Sequence, residues 1–151
     1  MKRRDALKNS AAVLGLLVAA GMLPQAAHAA YNQAAFEAKT MADVLKAMGA
    51  SAPAESKDVT LTAPDIAENG AVVPIGAATT LPNVKQLLIL VEKNPNTMIA
   101  AFTVNEALEP NFLTRAKLGQ SSDVYAVAIT NDGKAFFAKK EVKVTLGGCG
   151  G

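Results

Sequence analysis

From residue 59 onward the chain is written in short runs of apolar and β-branched residues: VTLTAP (59–64), AVVPI (71–75), VKQLLILV (84–91), TMIAAFTV (97–104), FLTRAKL (112–118), DVYAVAIT (123–130), KAFFAK (134–139) and EVKVTL (141–146). Turn formers stand between them, notably Asn69-Gly70, Asn94-Pro95-Asn96, Glu109-Pro110-Asn111 and Asn131-Asp132-Gly133. About eight strands at this spacing predict an all-β sandwich. LLILV and VYAVAI are apolar at successive positions, so both of their faces are expected to be covered, in the middle of a sandwich or at a partner interface. In the last run Val142, Val144 and Leu146 alternate with Lys143 and Thr145, the pattern of a strand with one face on the core and one in solvent. Asp132-Gly133 predicts a hairpin. The chain is expected to leave the core at Leu146.

Ahead of these runs the period changes. In YNQAAFEAKTMADVLKAMGA (31–50) the apolar positions Ala34, Ala38, Met41, Val44, Leu45 and Met48 recur at helical spacing, and Gly49 supplies a stop. This predicts one amphipathic helix docked on the domain edge, its Met and Phe side chains used for packing. SAPAESKD (51–58) reads as a linker.

The first thirty residues, MKRRDALKNSAAVLGLLVAAGMLPQAAHAA, have a charged head, an apolar stretch from Ala11 to Leu23 and the small-residue run Ala27-His28-Ala29. That order predicts a signal peptide cleaved after Ala29. Its apolar stretch is shorter than the ~20 residues a spanning helix needs, so no membrane anchor is expected after processing. Arg3-Arg4 followed by Leu7-Lys8 resembles a twin-arginine export signal, although Lys2 and Ala6 depart from its usual residues. The expected organisation is therefore a signal peptide (1–29), an N-terminal helix (30–50), a β-sandwich domain (51–146) and a short terminal arm (147–151).

Losing the leader removes Lys2, Arg3, Arg4, Lys8 and Asp5, which changes 15 basic and 13 acidic residues to 11 and 12. The basic character of the full chain thus belongs to the leader. A mature charge near −1 gives no reason to expect nucleic acid or an acidic membrane surface as a partner. Loss of His28 also leaves the mature chain without histidine, and its one arginine is Arg115.

The chain ends GGCGG, Gly147 to Gly151, and Cys149 is its only cysteine. Glycine samples both signs of φ, so Gly147, Gly148, Gly150 and Gly151 predict a flexible arm. A cysteine nucleophile needs a base or cation to form thiolate, and the mature chain offers no histidine for that. A single cysteine without histidine cannot complete a tetrahedral zinc site, and no calcium loop, phosphate loop or haem-attachment motif is present. No catalytic residue, cofactor-binding residue or metal ligand is therefore assigned, and no cofactor is expected. An unpaired cysteine in an exported protein points to intermolecular pairing or to a thiol kept for use. Three readings stay open on the residues alone: a covalent carrier with its cargo on Cys149, a structural sandwich cross-linked through the tail, and a Gly-Gly carrier loaded on its terminal carboxylate.

VKVTLGGCGG (142–151), AENGAVVPI (67–75), VEKNPNTMIAAF (91–102), TRAKL (114–118) and the twin-arginine leader together resemble the SoxY family, the carrier subunit of the periplasmic thiosulfate-oxidising system. GGCGG is the specific part, since AENG and NPN are also ordinary turns. The resemblance implies an immunoglobulin-like β-sandwich with an N-terminal helix, paired as a heterodimer with a SoxZ-like subunit. It implies cargo carried on Cys149 as thiosulfate-derived S-sulfonate and persulfide species. Transient partners would be a c-type cytochrome complex that loads thiosulfate, a hydrolase that releases sulfate and, in some organisms, a sulfur dehydrogenase. The carrier itself would not be an enzyme. Arg115 is expected in a surface ion pair, with contact to a partner or anionic cargo as the alternative. Lys139, Lys140 and Lys143 are expected to guard a strand edge or to attract sulfonate groups near the tail.

Overall fold

The structure, a computed structural model, describes residues 32–145. The predicted signal peptide and Leu146 with the GGCGG tail lie outside the described residues. Two short helices, α1 (Gln33–Glu37) and α2 (Met41–Ala47), precede nine strands: β1 (Pro53–Glu55), β2 (Val59–Thr62), β3 (Ile66–Ala67), β4 (Val73–Thr79), β5 (Val84–Val91), β6 (Met98–Thr103), β7 (Asn111–Ala116), β8 (Ser122–Thr130) and β9 (Ala135–Val144). They form two sheets. The larger runs β1-β9-β8-β5-β6, with β3 also on β9, and the smaller runs β2-β4-β7. All pairings are antiparallel except those of β1 and β3, which run parallel to β9.

Strands β5 and β8 explain their continuous apolar sequences. Leu87, Ile89 and Val91 with Val124, Ala126 and Ala128 face the small sheet, where Val59, Ile75, Ala77 and Ala116 complete the core. Leu88, Leu90, Val127 and Ile129 point the other way, onto Ala35, Val44 and Leu45 of the helices. The large sheet is thus sandwiched between strands on one face and helices on the other. Each buried Val, Leu or Ile side chain among these contributes about 1.5–3 kcal/mol. The small sheet alternates at most positions: Val59, Ile75, Ala77 and Ala116 are buried, whereas Thr60, Thr62, Pro74, Asn111, Leu113 and Arg115 are exposed.

Three sequence expectations are corrected. The single helix over 31–50 is two helices, because Ala38 is extended (φ −63, ψ 141) and its carbonyl accepts from the N–H of Thr97, the residue before β6, at 3.1 Å. Lys39 Nζ donates to Pro95 O (2.6 Å) and Asn96 Oδ1 (2.7 Å), and Thr40 Oγ1 caps α2 by accepting from Asp43 N. The break also moves the buried position from Ala34 to Ala35. Gly49 does stop α2: at φ +68 it sits in a Schellman turn, with Ala50 N bonded to Leu45 O and Gly49 N to Lys46 O.

The runs 134–139 and 141–146 are one ten-residue strand, β9. Its charged middle, Lys139-Lys140-Glu141, lies where the outer edge of β9 has neither β1 (paired at 135–137) nor β3 (paired at 143–144) beside it. Charges are tolerated there because, among the described residues, no strand pairs with that stretch of the outer edge. Finally, the linker contains β1, which begins at Pro53, a position where a strand spares the missing N–H. The hairpin at Asp132-Gly133 joins β8 to β9 as expected, with Ile129 opposite Ala135.

Candidate functional site

Cys149, Gly147, Gly148, Gly150 and Gly151 lie outside the described residues, so the structure bears on the candidate site through its root, the end of β9. Val142 is fully buried in the core opposite Ser122, Val144 packs against the same core, and Lys143 and Thr145 are exposed. The alternation in VKVT therefore sets which side chains hold the strand end. Its backbone is bonded on both edges. Lys143 N donates to Asp65 O (2.9 Å) and Thr145 N to Ala67 O (3.1 Å) on the β3 side. Val144 N donates to Ser121 Oγ (2.9 Å) on the other. Three successive amides are thereby satisfied up to Thr145.

The loop after β3 presses against this root. A Cβ placed on Gly70 would come to 2.5 Å from Leu118 O and 2.8 Å from Val144 Cγ1, distances no side chain tolerates without displacement. Leu118 N donates to Gly70 O at 2.7 Å, and the Leu118 side chain is buried. Asn69 closes the turn by accepting from Ala71 N through Oδ1 at 2.9 Å.

The turn after β5 reaches the same place. Asn94 Nδ2 donates to Lys117 O (2.7 Å), its Oδ1 accepts from Gly119 N (3.3 Å), and Lys93 N donates to Ser122 Oγ (3.0 Å). AENG, VEKNPN, TRAKL and VKVT, dispersed in sequence, thus meet at one end of the sandwich, around the strand end that precedes Cys149. Sequence reasoning read AENG and NPN as turns and missed this convergence. The signal available was the Gly at 70, which the turn type alone does not require.

The lysines divide. Lys140 Nζ pairs with Asp65 Oδ1 (2.9 Å) and donates to Ala63 O (2.7 Å), which ties β9 to the segment leading into β3. Lys139 pairs with Asp123 at 3.4 Å. Lys143, nearest the tail, makes no side-chain pair among the described residues. Arg115 departs from expectation: it is exposed on β7 and makes no ion pair among the described residues.

On the helix-covered face, a cavity of about 560 Å³ is lined by residues including Met41, Tyr125, Phe137, Lys93 and Lys139. Tyr125 donates its hydroxyl to Glu92 Oε2 at 3.3 Å, and burial, reinforced by the charges of Glu92 and Asp123, pushes its pKa up to about 12. It is a neutral hydrogen-bond donor at ordinary pH. At the opposite end of the sandwich, hydrogen bonds from Thr130 and then Lys134 lower Asp132 to about 2. Among the described residues no three His, Cys, Asp or Glu side chains stand together as a metal-holding group, and no helix is long and apolar enough to cross a membrane.

The model of the family described as sulfur oxidation protein SoxY matches residues 44–149. The chain belongs to the SoxY family. The matched span includes all four converging segments and Cys149. Among solved structures, the sulfur carrier protein SoxY from Chlorobium limicola f thiosulfatophilum is 32% identical, with a TM-score of 0.64 over 71% of this chain and 97% of that one. A superoxide reductase (neelaredoxin) from Ignicoccus hospitalis is 21% identical, with a TM-score of 0.52 over 61% of this chain and 83% of that one. The likeness to the reductase is one of fold alone. No sequence among curated proteins matches. The SoxY-family fold is thus an immunoglobulin-like sandwich whose N-terminal helical segment covers the large sheet.

Proposed function

We propose that this chain carries sulfur-oxidation intermediates covalently on the thiol of Cys149, presented on an arm made of Gly147, Gly148, Gly150 and Gly151, and that it catalyses no step itself. The observation that carries this reading is that the SoxY match runs through residue 149 and so takes in the chain's one cysteine. The solved SoxY relative is titled a sulfur carrier protein, which supports the same role.

The root geometry supports it physically. A carrier arm needs a fixed origin, and residues 143–145 are bonded on both edges of β9. From Thr145 to Cys149 are four residues, which reach about 14 Å when fully extended. The thiol can therefore enter a partner's active site while the sandwich stays outside it.

Loading joins the sulfane sulfur of thiosulfate to the Cys149 sulfur. One S–S bond forms, the thiol proton leaves and two electrons are released. The oxidant is a c-type cytochrome complex, the partner that the family resemblance implies, and it takes up both electrons. Water then cleaves the outer S–SO₃ bond on a hydrolase, which releases sulfate and leaves a persulfide on Cys149. A sulfur dehydrogenase is the further partner where that persulfide is oxidised. Both adducts are disulfide-like or persulfide-like and hence reversible, whereas oxidation of the thiol to sulfinate or sulfonate would disable the arm. The chain works after twin-arginine export and cleavage following Ala29, in the periplasm, as a heterodimer with a SoxZ-like subunit.

The test is the electron balance of loading. Mixed with thiosulfate and the oxidised cytochrome complex, the full chain should release two electrons per Cys149 to the haem, read as cytochrome reduction. Cys149→Ser should give none. Reduction of equal extent with Cys149→Ser would refute the assignment.

A further inference from the structure

Among the described residues one buried side-chain polar atom has no hydrogen-bond partner, the hydroxyl oxygen of Thr97. Thr97 is 1% exposed and its backbone is fully engaged: its N–H donates to Ala38 O at 3.1 Å and its carbonyl accepts from Val91 N at 2.8 Å. A buried hydroxyl left unpaired costs stability, and native chains rarely keep one without a use. Thr97 lines the cavity of about 560 Å³ on the helix-covered face. That volume is within the range of small-molecule sites, which are mostly apolar with a few placed polar groups.

The chemistry of the cavity is graded by depth. Its walls are the half-buried side chains of Met41, Tyr125 and Phe137, the two rings meeting edge to face with centroids 5.8 Å apart. Its charged lining residues are all exposed and hence stand at the rim: three lysines, Lys39, Lys93 and Lys139, against Glu92. Glu92 is already engaged by the Tyr125 hydroxyl. Lys39 Nζ donates to Pro95 O and Asn96 Oδ1, and Lys139 pairs with Asp123. The Lys93 ammonium makes no ion pair among the described residues. A positive rim on a chain whose mature charge is near −1 selects an anion.

We propose that this cavity binds a small organic anion with an apolar body, its carboxylate or sulfonate at Lys93 and Lys139 and a second polar group hydrogen-bonded to Thr97 Oγ1. Each zone makes its own demand. The rim alone would attract any anion, the walls require a ring or short alkyl body, and the floor rewards a hydroxyl or carbonyl at the inner end. Inorganic sulfur oxyanions, the class of cargo proposed for Cys149, have no such body and do not meet the second and third demands. The cavity is therefore a site distinct from the thiol, although Lys93, at its rim, also ties its backbone N–H to Ser122 Oγ beside the root of the arm.

The experiment titrates the full chain with 4-hydroxybenzoate, benzoate, 4-hydroxybenzamide and inorganic sulfate and follows the backbone amide signals by NMR. For 4-hydroxybenzoate, shifts centred on Lys93, Thr97 and Tyr125 should saturate with a Kd of about 1 mM or tighter. Benzoate should bind about fivefold more weakly for want of the inner hydroxyl, and 4-hydroxybenzamide at least threefold more weakly for want of charge. Sulfate should bind at least tenfold more weakly. Thr97→Val should abolish the preference for 4-hydroxybenzoate over benzoate and, by removing an unpaired hydroxyl, raise the Tm of the ligand-free chain by about 4 °C. Lys93→Gln should weaken both anions at least threefold, whereas Lys134→Gln, on an exposed lysine at the other end of the sandwich, should bind within twofold of the parent. Absence of saturable shifts at these residues, or sulfate binding as tightly as 4-hydroxybenzoate, would overturn the site. An undiminished preference for 4-hydroxybenzoate in Thr97→Val, or a lowered Tm, would overturn the role given to Thr97 and with it the proposed ligand class.

Discussion

Gly70→Ala is a sharp probe of the root from which the arm departs. The added methyl would meet Leu118 O at 2.5 Å and Val144 Cγ1 at 2.8 Å. The Leu118 carbonyl cannot rotate away as a side chain end would, and its own residue is held by the 2.7 Å bond from Leu118 N to Gly70 O. Relief requires the 67–70 turn or the end of β9 to shift. Overpacking of this kind costs about 1–3 kcal/mol. For a domain of this size each kcal/mol lowers Tm by about 4 °C, so a fall of about 4–12 °C is expected. The loss should be local as well as global. Hydrogen exchange at the amides of Val144 and Thr145, which donate to Ser121 and Ala67, should accelerate more than at Val127 in the sheet centre. Gly119→Ala is the control, since a Cβ there meets nothing within 4 Å. If Gly70→Ala melts within a degree of the parent and exchange at Val144 and Thr145 is unchanged, the close approach does not fix the root.

Leu88→Ala empties a fully buried position between the large sheet and the helices and should cost about 2–5 kcal/mol in a denaturant titration. Thr40→Ala removes the cap of α2 and should cost about 0.5–2 kcal/mol, with the loss read in the same titration. Tyr125 ionises at about 12 in the folded chain against 10.0 ordinarily, so its contribution is complete below pH 10 and is lost as pH rises from 10 to about 12. Tyr125→Phe should flatten that alkaline decline in the urea midpoint. Asp132, lowered from 3.8 to about 2, acts in the opposite sense: its contribution is present above pH 3.8 and disappears as pH falls towards 2, a slope that Asp132→Asn should remove.

The sandwich was legible because β5 and β8 carry apolar residues on both faces, a pattern that only a central strand sustains. What covered the second face was not: one helix over 31–50 was expected at the domain edge, and nothing in its periodicity says that the Ala38 carbonyl accepts from Thr97 N, just before β6, and that the run breaks there. That bond is tertiary, and local spacing cannot announce it. Strand β9 looked like two strands because three charged residues interrupt it, and an open edge between two short parallel neighbours is visible only once those neighbours are placed. Strands β1 and β3, three and two residues long, carry too little sequence to be read. At the candidate site, Cys149 and its glycines stand out by rarity and position. The scaffold beneath them did not, because AENG, NPN and TRAKL acquire a common purpose only when the fold brings them to the end of β9.

Covalent loading itself is the measurement closest to the central claim. Intact-mass spectra of the full chain after incubation with thiosulfate and the oxidised cytochrome complex should show one added thiosulfate group per chain, removable by a reducing thiol. The adduct should persist when Gly151 is deleted, because the cargo sits on Cys149 and not on a terminal carboxylate, and should be absent from Cys149→Ser. An unmodified parent chain, or an adduct that survives in Cys149→Ser, would contradict the account.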